Sequence, residues 1–162
     1  MSQLTDAAIL VAQSQVGEME KPLGSNWGMP VQEYLASVGI NEPASWCMAF
    51  VYWCFGTACK NLGISPNPLT CTGAVVHAWM VAYPQHNYPQ GHAASIPQPG
   101  DIFIMEFSPT AGHTGIIESV DPDGTLHTIE GNTDDTGSPQ GIGVYRRTRR
   151  FVPPIVGLLR YP

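Results

Sequence analysis

The chain has 162 residues, of which 43% are hydrophobic and 9% aromatic, enough to build a substantial core in one domain spanning 1–162 and too apolar for a disordered chain. Only 12% of residues are charged and the formal net charge is −6, which excludes a broad electrostatic attraction to nucleic acid or to an anionic membrane. The 17 Gly and 15 Pro exclude coiled coils and predict many turns between short elements.

Thr5 or Asp6 is placed to cap a first helix whose apolar residues Ala8, Ile9, Val11, Ala12 and Val16 recur at helical spacing, with Gly17 ending it. A loop through Pro22, Gly24, Asn26 and Gly28 follows, and Pro30 opens a second, short helix running through Val31, Tyr34, Leu35 and Val38 to Gly39. Pro43-Ala44-Ser45 reads as loop and cap before a third helix, from Cys47 to about Lys60, with Ala49, Phe50, Trp53 and Cys54 on its apolar side. A further helix is predicted over 72–81, and the Pro-, Gly- and His-rich stretch from Tyr83 to Gly100 reads as an irregular excursion bordering a substrate groove. The period then changes from 3.6 to 2, predicting antiparallel strands over 101–107, 112–120, 125–130, 143–147 and 155–160. The fold class is therefore α+β, with N-terminal helices on a C-terminal antiparallel sheet of about five strands. Arg146, Arg147, Arg149 and Arg150 read as a solvated strand edge and turn.

Cys47 falls in the first turn of its helix, where unpaired N–H groups and the helix dipole favour thiolate over thiol. A thiolate nucleophile needs an imidazole to carry protons, and the imidazole needs an acceptor to orient it. His113 fits best: it opens a strand between Gly112 and Gly115, whereas His86 and His92 lie in a loop, His77 sits among apolar helix residues and His127 lies inside a hairpin strand. Alternation puts Thr128, Glu130 and Asn132 on one face of the next strand and His127 on the other, so that Glu130 and Asn132 project toward a neighbouring histidine. Four cysteines without a CxxC pair and five histidines without ligand spacing predict no metal site. Cys59 and Cys71 flank the 61–69 connection and would form a disulfide if the two helices met there.

Four blocks in this order resemble the CHAP family of cysteine, histidine-dependent amidohydrolases/peptidases, within the NlpC-type papain-like group. They are Trp46-Cys47-Met48-Ala49-Phe50-Val51, Pro97-Gln98-Pro99-Gly100-Asp101-Ile102, Gly112-His113-Thr114-Gly115 and Ile129-Glu130-Gly131-Asn132-Thr133. The resemblance implies a papain-like fold in which Cys47 is the nucleophile, His113 the general base and acid, Glu130 the orienting residue and Asn132 a supporting polar group. It implies hydrolysis of an amide in bacterial peptidoglycan, between glycan and stem peptide or within the peptide, by a monomer without cofactor. Some endolysins of this family carry a calcium loop of closely spaced aspartates ahead of the cysteine, and nothing between Gly17 and Cys47 offers one. No apolar run approaches the ~20 residues of a membrane span and the N-terminus lacks a signal-peptide pattern, so the chain reads as made in the cytoplasm. It would act at the wall or periplasm after lysis or dedicated export, as a lysin or an antibacterial effector with a cognate immunity or inhibitor protein. The competing readings are a papain-like acyltransferase using the same thiolate and a non-catalytic wall-binding module.

Overall fold

The computed structural model describes residues 2–138 and 140–162, which form an α+β fold of four helices and a six-stranded antiparallel sheet. Helix α1 is Gln3–Ser14, capped not by Thr5 or Asp6 but by Ser2, whose hydroxyl accepts from the Thr5 amide while the Thr5 side chain returns a bond to the Ser2 amide. Thr5 therefore stands at the third helical position, the far side of a reciprocal capping box. Helix α2 is Val31–Ser37, preceded by Pro30, and α3 is Cys47–Leu62, closed by Gly63 at φ +68°. Helix α4 starts later than predicted, at Val75–Val81, because Thr72 accepts from the Ala74 amide and holds that stretch as a turn.

The strands are β1 Asn87–Pro89, β2 Ile102–Ser108, β3 Ala111–Val120, β4 Thr125–Thr133, β5 Gly143–Arg150 and β6 Ile155–Leu159, in sheet order β1-β6-β2-β3-β4-β5. The sixth strand, β1, lies inside the 83–100 excursion, where proline masks the strand signal; it pairs Asn87 with Leu159 at the sheet edge. Alternation sends Ile102, Ile104, Ile116, Ile129, Val144 and Leu159 to the core shared with the helices, and Phe103, Met105, Ile117, Leu126, Ile155 and Leu158 to a second, smaller cluster. Helix α3 lies across β3 and β4, with Met48, Ala49, Phe50, Val51, Cys54 and Phe55 fully buried, so its hydrophobic face is wider than the predicted side and Trp53 is only partly covered.

The excursion is tied down by Arg160, which makes two 2.7 Å bonds to the nearly buried Asp101 carboxylate and also donates to the Ala94 and Ile96 carbonyls. Its guanidinium lies 4.7 Å from the Tyr88 ring centroid. Removing Asp101 leaves the partly buried Arg160 guanidinium without its counter-charge. Asp101→Ala is therefore expected to cost roughly 2–4 kcal/mol in urea denaturation, with early loss of protection in the 83–100 backbone by hydrogen exchange.

Candidate active site

Cys47 is the first residue of α3, and its side chain is nearly buried at the floor of a cleft. Trp46 takes the N-cap position and its side chain makes no capping hydrogen bond, so the expected capping by Ser45 is absent and no side chain occupies the N–H groups of the first turn. Ser45 instead lines the cleft, with Gly73-Ala74-Val75 ahead of and into α4 on one wall, Phe107 and Thr110-Ala111-Gly112 of the β2–β3 hairpin on the other, and Gln140 at one end. The cleft encloses about 580 Å³, its open mouth included. The 83–100 excursion does not border it: β1 places that stretch at the opposite edge of the sheet from β5.

His113, the third residue of β3, is fully buried, and its Nε2 lies 2.7 Å from Glu130 Oε2 on the adjacent strand. Nε2 is thus committed to the carboxylate, which leaves Nδ1, without a hydrogen-bond partner of its own, as the nitrogen available to the Cys47 thiol. Burial opposes the imidazolium, but the neighbouring Cys47 sulfur and the hydrogen bond and charge of Glu130 outweigh it and raise His113 to about 9 from the ordinary 6.5. For Glu130 burial again favours the neutral form, and it is overcome by hydrogen bonds from Arg149 and His113, which bring the carboxyl down to about 2. The structure therefore favours a charged pair over a neutral one.

Arg149 is the residue that sequence reasoning missed. It grips Glu130 with Nε to Oε1 at 2.8 Å and Nη2 to Oε2 at 2.6 Å, while Thr128 donates to Oε1 at 2.6 Å. Its guanidinium also lies 5.8 Å from the Phe103 ring centroid, and the Phe103 and His113 rings are 6.1 Å apart. The solvated-edge reading of the arginine run is corrected accordingly. Arg146 pairs with Glu118 and Arg150 with Asp123 at the surface, Arg147 donates to the Asp135 carbonyl, and Arg149 turns inward. Alternation puts Tyr145, Arg147 and Arg149 on one face of β5, but only the register, with Glu130 opposite Tyr145 and Thr128 opposite Arg147, turns that face to the carboxylate.

Two glycines make the assembly possible. A Cβ at Gly115 would sit 2.6 Å from Glu130 Cγ and 2.9 Å from Phe103 Cε1, so the absence of a side chain lets Glu130 lean across β3 toward His113. A Cβ at Gly131 would sit 2.7 Å from Trp46 Cζ3 and 2.8 Å from Phe50 Cβ, so only glycine lets β4 approach the start of α3.

Beyond Glu130 the strict alternation assumed for Asn132 is interrupted. The β4–β5 register shifts between Glu130 and Thr133, and Asn132 adopts φ +57° with both amide atoms buried and unpartnered. It makes no hydrogen bond to His113. His127 faces Asp121 at 2.8 Å on the exposed side, and His77 bonds Thr72 on the surface. Cys59 and Cys71 are separate thiols, the first buried in α3 and the second exposed beside the Ser37 carbonyl, so the condition for a bridge between them is not met. Among the described residues no three His, Cys, Asp or Glu side chains cluster together.

The CHAP domain family model matches residues 39–132, which hold Cys47, His113, Glu130 and Asn132, and the chain belongs to this family. No curated protein matches it in sequence. Among solved structures it resembles the wild-type endolysin LysIME-EF1, with a TM-score of 0.57 at 19% identity over 100% of this chain and 65% of that one, a likeness of fold. The chain thus spans about two thirds of the endolysin's length.

The two shifted groups predict a pH signature. His113, raised above its unfolded value of 6.5, stabilises the fold fully below about 6.5 and ceases to do so as pH rises through about 9. Glu130, lowered from 4.5, stabilises above about 4.5 and ceases to do so as pH falls toward 2. Urea denaturation should therefore show the full contribution of the pair between pH 4.5 and 6.5. The NMR titration of the His113 ring should move down from about 9 in Glu130→Gln.

Proposed function

We propose that this CHAP domain is a peptidoglycan hydrolase that cleaves an amide bond through a Cys47 thiolate. The observation that carries the reading is the division of the buried imidazole: Nε2 is held by Glu130, and Nδ1 is left for a thiol that starts a helix and opens into a cleft. In the mechanism, Nδ1 holds the thiol proton and Cys47 Sγ attacks the carbonyl carbon. The charge that develops on the carbonyl oxygen falls near the first-turn N–H groups of α3, which no side chain caps. The C–N bond breaks as His113 passes its proton to the leaving amine, giving a thioester. Water, deprotonated by His113, then attacks the thioester and releases the acid and the thiol. Glu130 orients the ring and stabilises its charged form, Arg149 holds Glu130, and Asn132 has a smaller role.

The cleft favours one class of bond. Its polar side chains are Cys47, Ser45, Thr110 and Gln140, and among the described residues no charged side chain lines it. All five arginines are engaged elsewhere, and neither lysine lines the cleft. A bond flanked by the acidic stem residues would find no cation here, so the amide between the lactyl group of N-acetylmuramic acid and L-alanine fits better than a stem-peptide bond beside a carboxylate. Mass spectrometry of purified peptidoglycan after incubation should show free N-terminal alanine on the stems and intact stem peptides. Stem fragments cut beside a free carboxylate would reject that choice of bond.

Reactivity tests the nucleophile. Burial raises the thiols of Cys54 and Cys59, while Cys71 is exposed. In a Cys71→Ser background, iodoacetamide at neutral pH should therefore mark Cys47 alone. Cys47→Ala and His113→Ala should abolish turnover, Glu130→Gln should lose on the order of 10²-fold in rate, and Asn132→Ala should lose less. Wild-type turnover by a folded Glu130→Gln would overturn the role of Glu130.

A further inference from the structure

Glu20 is a buried carboxylate that the proposed mechanism does not use. It is 1% exposed, its Oε1 accepts from Trp46 Nε1 at 2.9 Å, and its Oε2 has no partner. Its backbone is equally fixed: Met19 bridges to Gly143, and the Glu20 amide donates to the Ile142 carbonyl at 2.8 Å. A single residue therefore spans two parts of the site. Its side chain holds the residue that immediately precedes Cys47, and its backbone holds the return of the loop that carries Gln140 into the cleft.

Trp46 is fully buried and is itself the point where three elements meet. It stands at the N-cap of α3, its ring lies 5.6 Å from that of Tyr34 on α2, and it presses against Gly131, the residue after Glu130 on β4. The rotation of this indole sets how closely the first turn of α3 approaches β4, and hence the separation of Cys47 from the His113–Glu130 pair. Apolar packing alone leaves that rotation to shape. A hydrogen bond to the indole N–H fixes it, and Glu20 is the acceptor.

We infer that Glu20 is a positioning residue for the nucleophile, acting through the Trp46 indole to hold Cys47 in register with His113. The inference rests on the assignment of Cys47 as nucleophile above. It also specifies which atom acts: Oε1 is used and Oε2 is not, so an amide oxygen in place of Oε1 suffices.

The test compares Glu20→Gln, which keeps an acceptor for the indole, with Glu20→Met, which keeps volume and loses it, and with Trp46→Phe, which removes the donor from the other side. The main readout is the rate of Cys47 alkylation by iodoacetamide at neutral pH, which needs no wall substrate, followed by kcat and KM on peptidoglycan. Glu20→Gln is expected within about threefold of wild type. Glu20→Met and Trp46→Phe are expected to lose about tenfold or more in alkylation and in kcat, with KM little changed, as misplacement of a reacting atom does. The double variant Glu20→Met/Trp46→Phe should lose no more than either single one, because both remove the same bond. A folded Glu20→Met, or Trp46→Phe where that variant does not fold, that alkylates at the wild-type rate would overturn the inference alone. So would equal losses in Glu20→Gln and Glu20→Met, which would place the effect in the charge. A wild-type Cys47 no more reactive than Cys71 would overturn the nucleophile assignment and this inference with it.

Discussion

The site depends on one buried carboxylate. Removing an isolated ionised carboxylate from water costs far more than any single hydrogen bond returns, so Glu130 is stable at full burial only because its oxygens accept from Arg149 twice, from Thr128 and from His113. The same bonds give the imidazole its direction. With Nε2 on the carboxylate, the ring has one way to face and one nitrogen to offer. A neutral residue at position 130 would leave the Arg149 guanidinium, only 18% exposed, without its counter-charge, so the sheet would lose an ion pair as well as an orienting group.

Bringing a helix-borne thiol to a strand-borne imidazole is the second constraint, and it is met by omission of atoms. At Gly115 and Gly131 another residue occupies the volume a Cβ would fill: Glu130 in the first case, Trp46 and Phe50 in the second. In each case the glycine serves close approach within a strand, at some cost in strand stability. The indole of Trp46 then fills the space that Gly131 opens, so the distance between α3 and β4 follows from a large ring seated on a missing side chain.

The charges outside this centre are disposed to hold loops. Arg160 ties the 83–100 excursion to Asp101, Arg150 closes the β3–β4 turn on Asp123, and Arg147 holds the Asp135 carbonyl in the loop that leads to Gln140. This spending of cations on architecture leaves a cleft of small and neutral walls.

Periodicity and motif spacing by themselves determined the α+β class, the helix that begins at Cys47, the strand that carries His113 and the alternation that pairs Glu130 with it. These are local properties, set by which residues recur at 3.6 or 2 along the chain. The capping of α1 by Ser2 and the strand Asn87–Pro89 escaped because each depends on a partner: a reciprocal bond with Thr5 in one case, a pairing with Leu159 in the other. The inward turn of Arg149 and the link from Glu20 to Trp46 join residues 19 and 26 positions apart, and a run of four arginines near the end of the chain looks the same whether it faces water or a buried carboxylate. Only tertiary structure decided which arginine is buried, because that follows from strand register and from the space that Gly115 leaves open, and neither is written in the identity of Arg149 itself.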